Sequence, residues 1–209
     1  MFTYCLNNPV NTFDPNGMCS YSVYYGGSVD NNGCYRCKNK PYINNQEDES
    51  VAGKRLGIAT ISHSGCGPIA VYNAALTLGL KISFDDVCSY YNSNILNMHL
   101  LGLAGTPVDM IVGFFEAQGY TVLTTKSTQA LDAASPLADA CIMYYKFPNT
   151  YLGFIDAYGA HFAEYTYMNN GYYAHNVTYG QEFKQPSSFA TMNSRYDIVG
   201  ILIFEPMGA

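Results

Sequence analysis

From Leu56 onward the chain sorts its secondary-structure signals by position, with helix signals first and strand signals afterwards. Pro68 suits a first helical turn because its missing N–H would have no partner there, and Ile69 to Leu78 continue as helix formers until Gly79. Ser83 and Asp86 have capping-box spacing ahead of Phe84, Val87 and Tyr91. A further helix is marked by Thr106 as cap, Pro107 at the first position, Asp109 near the positive end of the dipole, and apolar Met110, Ile111, Phe114 and Phe115 before Gly119. Ser127 to Ala134 add another turn or two. The stretches Tyr120–Thr125, Ala140–Tyr145, His161–Tyr167, Tyr172–Val177 and Tyr196–Phe204 are instead rich in β-branched and aromatic residues. Asn169-Asn170-Gly171 is a turn signal that makes the third and fourth of these an antiparallel hairpin. The class expected is α+β, with N-terminal helices packed on a C-terminal antiparallel sheet around one core.

Residues 1–50 have a different texture. They are rich in Asn, Tyr, Gly and Cys, lack hydrophobic periodicity, and end in the polar run Asn44-Asn45-Gln46-Glu47-Asp48-Glu49-Ser50. The expected organisation is an irregular N-terminal segment and linker over 1–50 and a packed domain over 51–209. Four of the seven cysteines, Cys5, Cys19, Cys34 and Cys37, lie in the first part. Cys34-Tyr35-Arg36-Cys37 has the gap of a zinc knuckle, and Cys5 and Cys19 would complete four ligands, but a second C-x-x-C is lacking. Zinc, disulfides and free thiols all stay open for these four, and no cofactor is required by anything else in the chain. Cys88 and Cys141 sit in apolar contexts and read as core.

Charge excludes one class of partner. With a net charge of −6 and charged residues at only 12%, there is no basic stripe to hold a phosphate backbone, so nucleic acid is not expected. No apolar run approaches the roughly 20 residues of a transmembrane helix, and the N-terminus lacks the basic start and apolar stretch of a signal peptide. The sequence as written reads as cytoplasmic, with export open if a leader has been removed.

The remaining cysteine, Cys66, stands between Gly65 and Gly67 at the expected helix start. A helix N-terminus and a neighbouring imidazolium both lower a thiol's pKa, and the Cys66 N–H there can face a developing oxyanion. Of the four histidines, His161 opens the expected hairpin, where its side chain can face a cleft; Asn176 lies on the return strand. A turn at 169–171 sets residue i opposite a residue near 340 minus i, which brings Asn176 close to His161. His175 is expected on the opposite, solvent-facing side, and His63 is a rival proton acceptor close in sequence to Cys66.

The order Cys66, His161, Asn176 resembles that of papain-like cysteine peptidases, and most resembles the bacterial branch of double-glycine leader peptidase domains and their stand-alone relatives. The resemblance rests on Gly65-Cys66-Gly67-Pro68 with its small-residue helix, Thr106-Pro107-Val108-Asp109-Met110, Leu131 to Pro136 before Cys141-Ile142-Met143-Tyr144-Tyr145, Gly159-Ala160-His161-Phe162, and Tyr172-Tyr173-Ala174-His175-Asn176. It implies a papain-like fold, Cys66 as nucleophile, His161 as general base and then acid, and Asn176 as the residue orienting the imidazole. Relatives often carry Asp followed by Pro where this chain has Asn176-Val177. They also carry an oxyanion-hole Gln about six residues before the Cys, where this chain has Thr60; no Gln lies nearer upstream than Gln46, leaving Thr60, Ser62 and Ser64 as substitutes. The function expected is a cysteine peptidase or related thiol hydrolase acting on a peptide or protein substrate. A non-catalytic module binding a peptide or glycan is the alternative, and acyl transfer to an amine is a third use of the same residues.

Overall fold

The computed structural model describes residues 12–13, 21–22, 42–151, 155–168, 171–176 and 197–206. Two short antiparallel pairs come first, β1 (Thr12–Phe13) with β2 (Tyr21–Ser22), and β3 (Arg55–Leu56) with β4 (Ala59–Thr60). Then follow α1 (Ile61–Ser64), α2 (Cys66–Thr77), α3 (Phe84–Ser93), α4 (Val108–Glu116), β5 (Thr121–Thr125) and α5 (Thr128–Ala134). Strands β6 (Ala140–Tyr151), β7 (Ile155–Met168), β8 (Gly171–His175) and β9 (Asp197–Phe204) complete a five-stranded antiparallel sheet in the order β5-β9-β6-β7-β8. The α+β arrangement, helices first and antiparallel sheet last, is the one the sequence predicts.

Helix α2 is the centre of this arrangement. It is buried nearly all round, from Gly67 to Leu76, as expected of a helix without a polar face. Its alanines let β6 and β7 come close, and Ile69, Ala70 and Ala74 share one core with Ile142, Phe162, Ile201 and Ile203 of the sheet and with Phe84, Val87, Ile111 and Phe115 of α3 and α4. Strand side chains alternate between faces. The other face of the sheet therefore presents Cys141, Met143, Tyr145, Ala163, Tyr165, Ile198 and Leu202, which pack with Leu131 of α5. Cys88 and Cys141 are buried, each in one of these two clusters.

Three local expectations are corrected. Pro107, not Thr106, occupies the cap of α4, and the Thr106 hydroxyl lies buried instead of capping. Strands β6 and β7 run past the expected ends, so His161 sits in the middle of β7 and not at its start. Registers of β7 and β8 pair Glu164 with His175, one residue from the expected offset, and His175 is buried on the α2 side instead of facing solvent.

Candidate active site

Cys66 is the first residue of α2 and is half-buried. A helix leaves its first N–H groups without intrahelical carbonyls, and here the backbone N–H groups of Cys66 and Gly67 turn to the Cys66 sulfur, joined by that of Phe162 from β7. Burial nevertheless pushes the thiol's pKa up, the three N–H groups opposing it. The sulfur has aromatic company. A charge on Cys66 is felt by the hydroxyls of Tyr91 and Tyr144, and Tyr144 lies against Phe162 with ring centroids 4.8 Å apart. The Tyr91 and Thr106 hydroxyls are buried without a hydrogen-bond partner among the described residues.

The flanking glycines are required by packing. A Cβ on Gly65 would lie 2.5 Å from the Ile61 carbonyl oxygen, and one on Gly67 2.7 Å from Thr106 Cβ. Gly65→Ala is therefore expected to displace the start of α2 and cost about 1–3 kcal/mol, as overpacking does. Urea unfolding checks this, and an unchanged midpoint would show that the α1–α2 junction has room to spare.

His161 is buried, and its Nε2–H donates to the backbone carbonyl of Asn176. The expected partnership thus exists with a different atom: the main chain of Asn176 holds the ring, while its side-chain nitrogen is buried without a partner among the described residues. Asn176 has φ 61°, a left-handed conformation that Asn tolerates better than most residues, and the chain turns there at the end of β8. With Nε2 carrying the hydrogen, Nδ1 is the basic nitrogen. Burial lowers the His161 pKa, with the Asn176 carbonyl opposing, so the imidazole is neutral at pH 7.

Cys66 and His161 meet through the backbone and not through their side chains. The Phe162 N–H reaches the sulfur, but the imidazole, one residue earlier in β7, lies on the other face, edge-on to Tyr145 with centroids 5.5 Å apart. No hydrogen bond joins the Cys66 thiol to the His161 ring among the described residues. Of the three hydroxyls proposed for the oxyanion, Ser64 is spent on the Gly102 carbonyl at 2.6 Å, and Thr60 and Ser62 bond each other at 2.9 Å. Cys5, Cys19, Cys34 and Cys37 lie outside the described residues. Among the described residues no group of three or more His, Cys, Asp or Glu side chains is placed to hold a metal, and no helix is long and apolar enough to cross a membrane.

Two features have no signature in the sequence. Residues 42–46 run along α2: Ile43 exchanges backbone hydrogen bonds with the Asn73 side chain at 3.0 and 2.9 Å, and the Tyr42 hydroxyl lies 3.2 Å from Thr77 Oγ1. Beyond them, Gln46 Nε2 donates to the Ser62 carbonyl at 2.9 Å. Nearby is a buried polar cluster in which His175 stacks on Tyr42 at 4.1 Å, its Nδ1 lies 3.0 Å from Asn44 Oδ1, and its Nε2 lies 3.7 Å from Glu164 Oε2. Thr77 donates to the other Glu164 oxygen at 2.9 Å.

No family model and no curated protein matches the chain. Among solved structures it is similar to the peptidase domain of Streptococcus ComA, a bi-functional ABC transporter involved in a quorum-sensing pathway. The match has 14% sequence identity and a TM-score of 0.42, over 68% of this chain and 91% of that one. So distant a likeness says nothing about the chemistry of Cys66.

Proposed function

We propose that the chain is a thiol hydrolase of the papain-like kind, a cysteine peptidase or close relative, with Cys66 as nucleophile. The observation that carries this reading is the convergence of three backbone N–H groups, from Cys66, Gly67 and Phe162, on one half-buried thiol at a helix start. Dipoles fixed in that way stabilise negative charge on the sulfur and on an acyl oxygen bound beside it without reorganising during the reaction.

Raised thiol pKa and lowered imidazole pKa together mean that the resting groups are both neutral. The proton then leaves sulfur during attack and not before it. The Cys66 sulfur adds to the acyl carbon, the thiol proton passes to Nδ1 of His161, and the imidazolium returns it to the departing amine. Water, activated by the same nitrogen, releases the acid. Because strand side chains alternate between faces, this sequence requires the backbone of β7 around His161 to shift register when substrate binds; rotation of the side chain alone does not carry the ring from the Tyr145 face to Cys66.

The absence of a Cys66–His161 hydrogen bond among the described residues favours a second reading, a module that holds a peptide or glycan without turnover. Incubating the wild type and Cys66→Ala with a defined peptide mixture separates the two. The hydrolase yields new peptide termini by mass spectrometry only with the wild type, and p-nitrophenyl acetate acylates Cys66. Peptides bound but uncut by both proteins, with Cys66 never acylated, would establish the binding module.

A further inference from the structure

We infer that two neighbouring loop tips, one at Ile58 and one spanning 96–103, form an apolar foot that seats the protein on a lipid bilayer. The inference goes beyond the thiol-hydrolase reading and does not depend on it.

Both tips carry aliphatic residues where turns ordinarily carry polar ones. Gly57-Ile58 is the two-residue turn between β3 and β4, and Ile58 at its end is 54% exposed. Residues 99–105 form a loop closed at its neck, where the His99 N–H donates to the Gly105 carbonyl and the Ala104 N–H to the His99 carbonyl. This loop and the turn before it leave Leu96, Leu100, Leu101 and Leu103 between 40% and 85% exposed. The Ile58 N–H donates to the Leu101 carbonyl at 3.0 Å, so the two tips stand side by side.

The backbone holds these side chains outward at a cost. Leu100 and Leu101 have φ 47° and 54°, in the left-handed region that a leucine adopts only under constraint. The constraint comes from beneath the loop. Met98 is buried there, and the Gly102 carbonyl accepts from Ser64 Oγ at 2.6 Å. Gly57 and Gly102 let the two backbones touch: a Cβ on Gly57 would lie 2.0 Å from the Leu101 carbonyl oxygen, and one on Gly102 2.6 Å from that of Leu56. Turning the leucines inward would break these contacts.

The chemistry of the patch favours lipid over protein. Residues 95–105 include no Asp, Glu, Lys or Arg, so the loop carries no fixed charge into hydrocarbon. Arg55 of β3 is exposed, and its Nε–H donates to the Gly57 carbonyl at 2.8 Å, which keeps a guanidinium at the edge of the patch, complementary to lipid phosphate. Five aliphatic side chains are too few for a stable protein partner, whose interface takes roughly 20–30 residues a side. A bilayer demands no matching surface, because protruding tips enter a fluid apolar phase while the cation stays among the headgroups. The foot also adjoins the nucleophile. Ser64 lies just before Gly65 and Cys66, and Thr106, which follows the loop, packs against Gly67, so docking sets the thiol close to the lipid surface.

The chain contains no tryptophan, so a tryptophan introduced as Leu100→Trp is the sole source of indole emission. Mixed with vesicles of phosphatidylcholine and phosphatidylglycerol, Leu100→Trp is expected to shift its emission to shorter wavelength. Leu137→Trp, whose leucine is 77% exposed and follows α5 beyond the opposite face of the sheet, is expected not to shift. In flotation with the same vesicles, a protein carrying Leu96→Ser and Leu100→Ser should bind at least about tenfold more weakly than wild type, with Leu137→Ser and Cys66→Ala within about twofold. Both replaced leucines are exposed, and a urea midpoint equal to that of wild type checks that the fold is kept. Wild type that stays free of the vesicles, or a double variant that floats as well as wild type, would overturn the inference. Slower peptide cleavage by the double variant, with neither protein on the vesicles, would assign the patch to a peptide substrate and overturn it too. Vesicle binding by a wild type whose Cys66 is never acylated would remove the hydrolase reading and leave the foot in place.

Discussion

His161→Ala should leave the pH midpoint for iodoacetamide alkylation of Cys66 where it is in the wild type, above the ~8.5 of a free cysteine, while slowing acylation about 10²–10⁴-fold. The two halves of this result have different causes. Alkylation reports the resting thiol, whose pKa is raised by burial and which shares no hydrogen bond with the imidazole, so deleting that ring removes nothing from it. Acylation reports the step in which a base must take the proton, and His161 is the base assigned. Its own lowered pKa keeps the ring neutral, and so competent, well below the pH at which an ordinary histidine would be charged. Rate profiles for both reactions over the range between acid and alkaline pH give the answer. Fast alkylation at pH 6 that disappears in His161→Ala would show instead a preformed thiolate–imidazolium pair, with the ring already on the Cys66 side of the sheet. Equal acylation by wild type and variant would remove His161 from the reaction, leaving exposed His63 as the nearest alternative in sequence.

What the sequence disclosed about this site follows the range of the interactions involved. The capping box of Ser83 and Asp86 is a contact over three residues, and α3 begins where it says. Cys66 at the start of α2 is equally local, set by Pro68 and by a run of small residues. The position of His161 depends on where β7 begins, and Pro148 and Gly159 interrupt the run of β-branched and aromatic residues on either side of that start. Among the described residues β9 pairs with β6 only as far as Lys146, so none of them lies beside Pro148 on that side of β6 and its missing N–H breaks no ladder bond with them. The six-residue displacement of the strand start takes His161 from a strand end into a buried mid-strand position, and alternation then puts its ring on the Tyr145 face. The role of Asn176 was legible as a place and not as an atom: its left-handed backbone, which no side-chain pattern encodes, is what brings a carbonyl to His161. Gln46 was invisible for another reason. It reaches Ser62 only because Asn73 and His175, far along the chain, hold the strap in between.

Lowering the pH from above 6.5 to 4 is expected to cost the fold about 3 kcal/mol through His175 alone. Burial holds the His175 pKa down to about 4, against 6.5 for the free side chain. Between those values the unfolded chain binds a proton that the folded chain refuses, so stability is fully present above 6.5, falls as the pH drops through the window, and levels off below 4. The groups facing the ring set the limits of this effect. Tyr42 stacks on it and adds only desolvation, and Asn44 accepts at Nδ1, which fixes the tautomer with Nε2 unprotonated. The Glu164 carboxylate, 3.7 Å from Nε2, pulls the other way by favouring the imidazolium, but at that distance it makes no hydrogen bond, so burial prevails and 3 kcal/mol is the upper figure. His161, also lowered by burial, contributes in the same direction, so the measurement is a difference. Urea unfolding at pH 7 and pH 4.5 should show a smaller acid loss in His175→Gln, which keeps an N–H for Asn44 and cannot be charged. An identical loss in wild type and variant would mean that His175 is already paired as an imidazolium with Glu164.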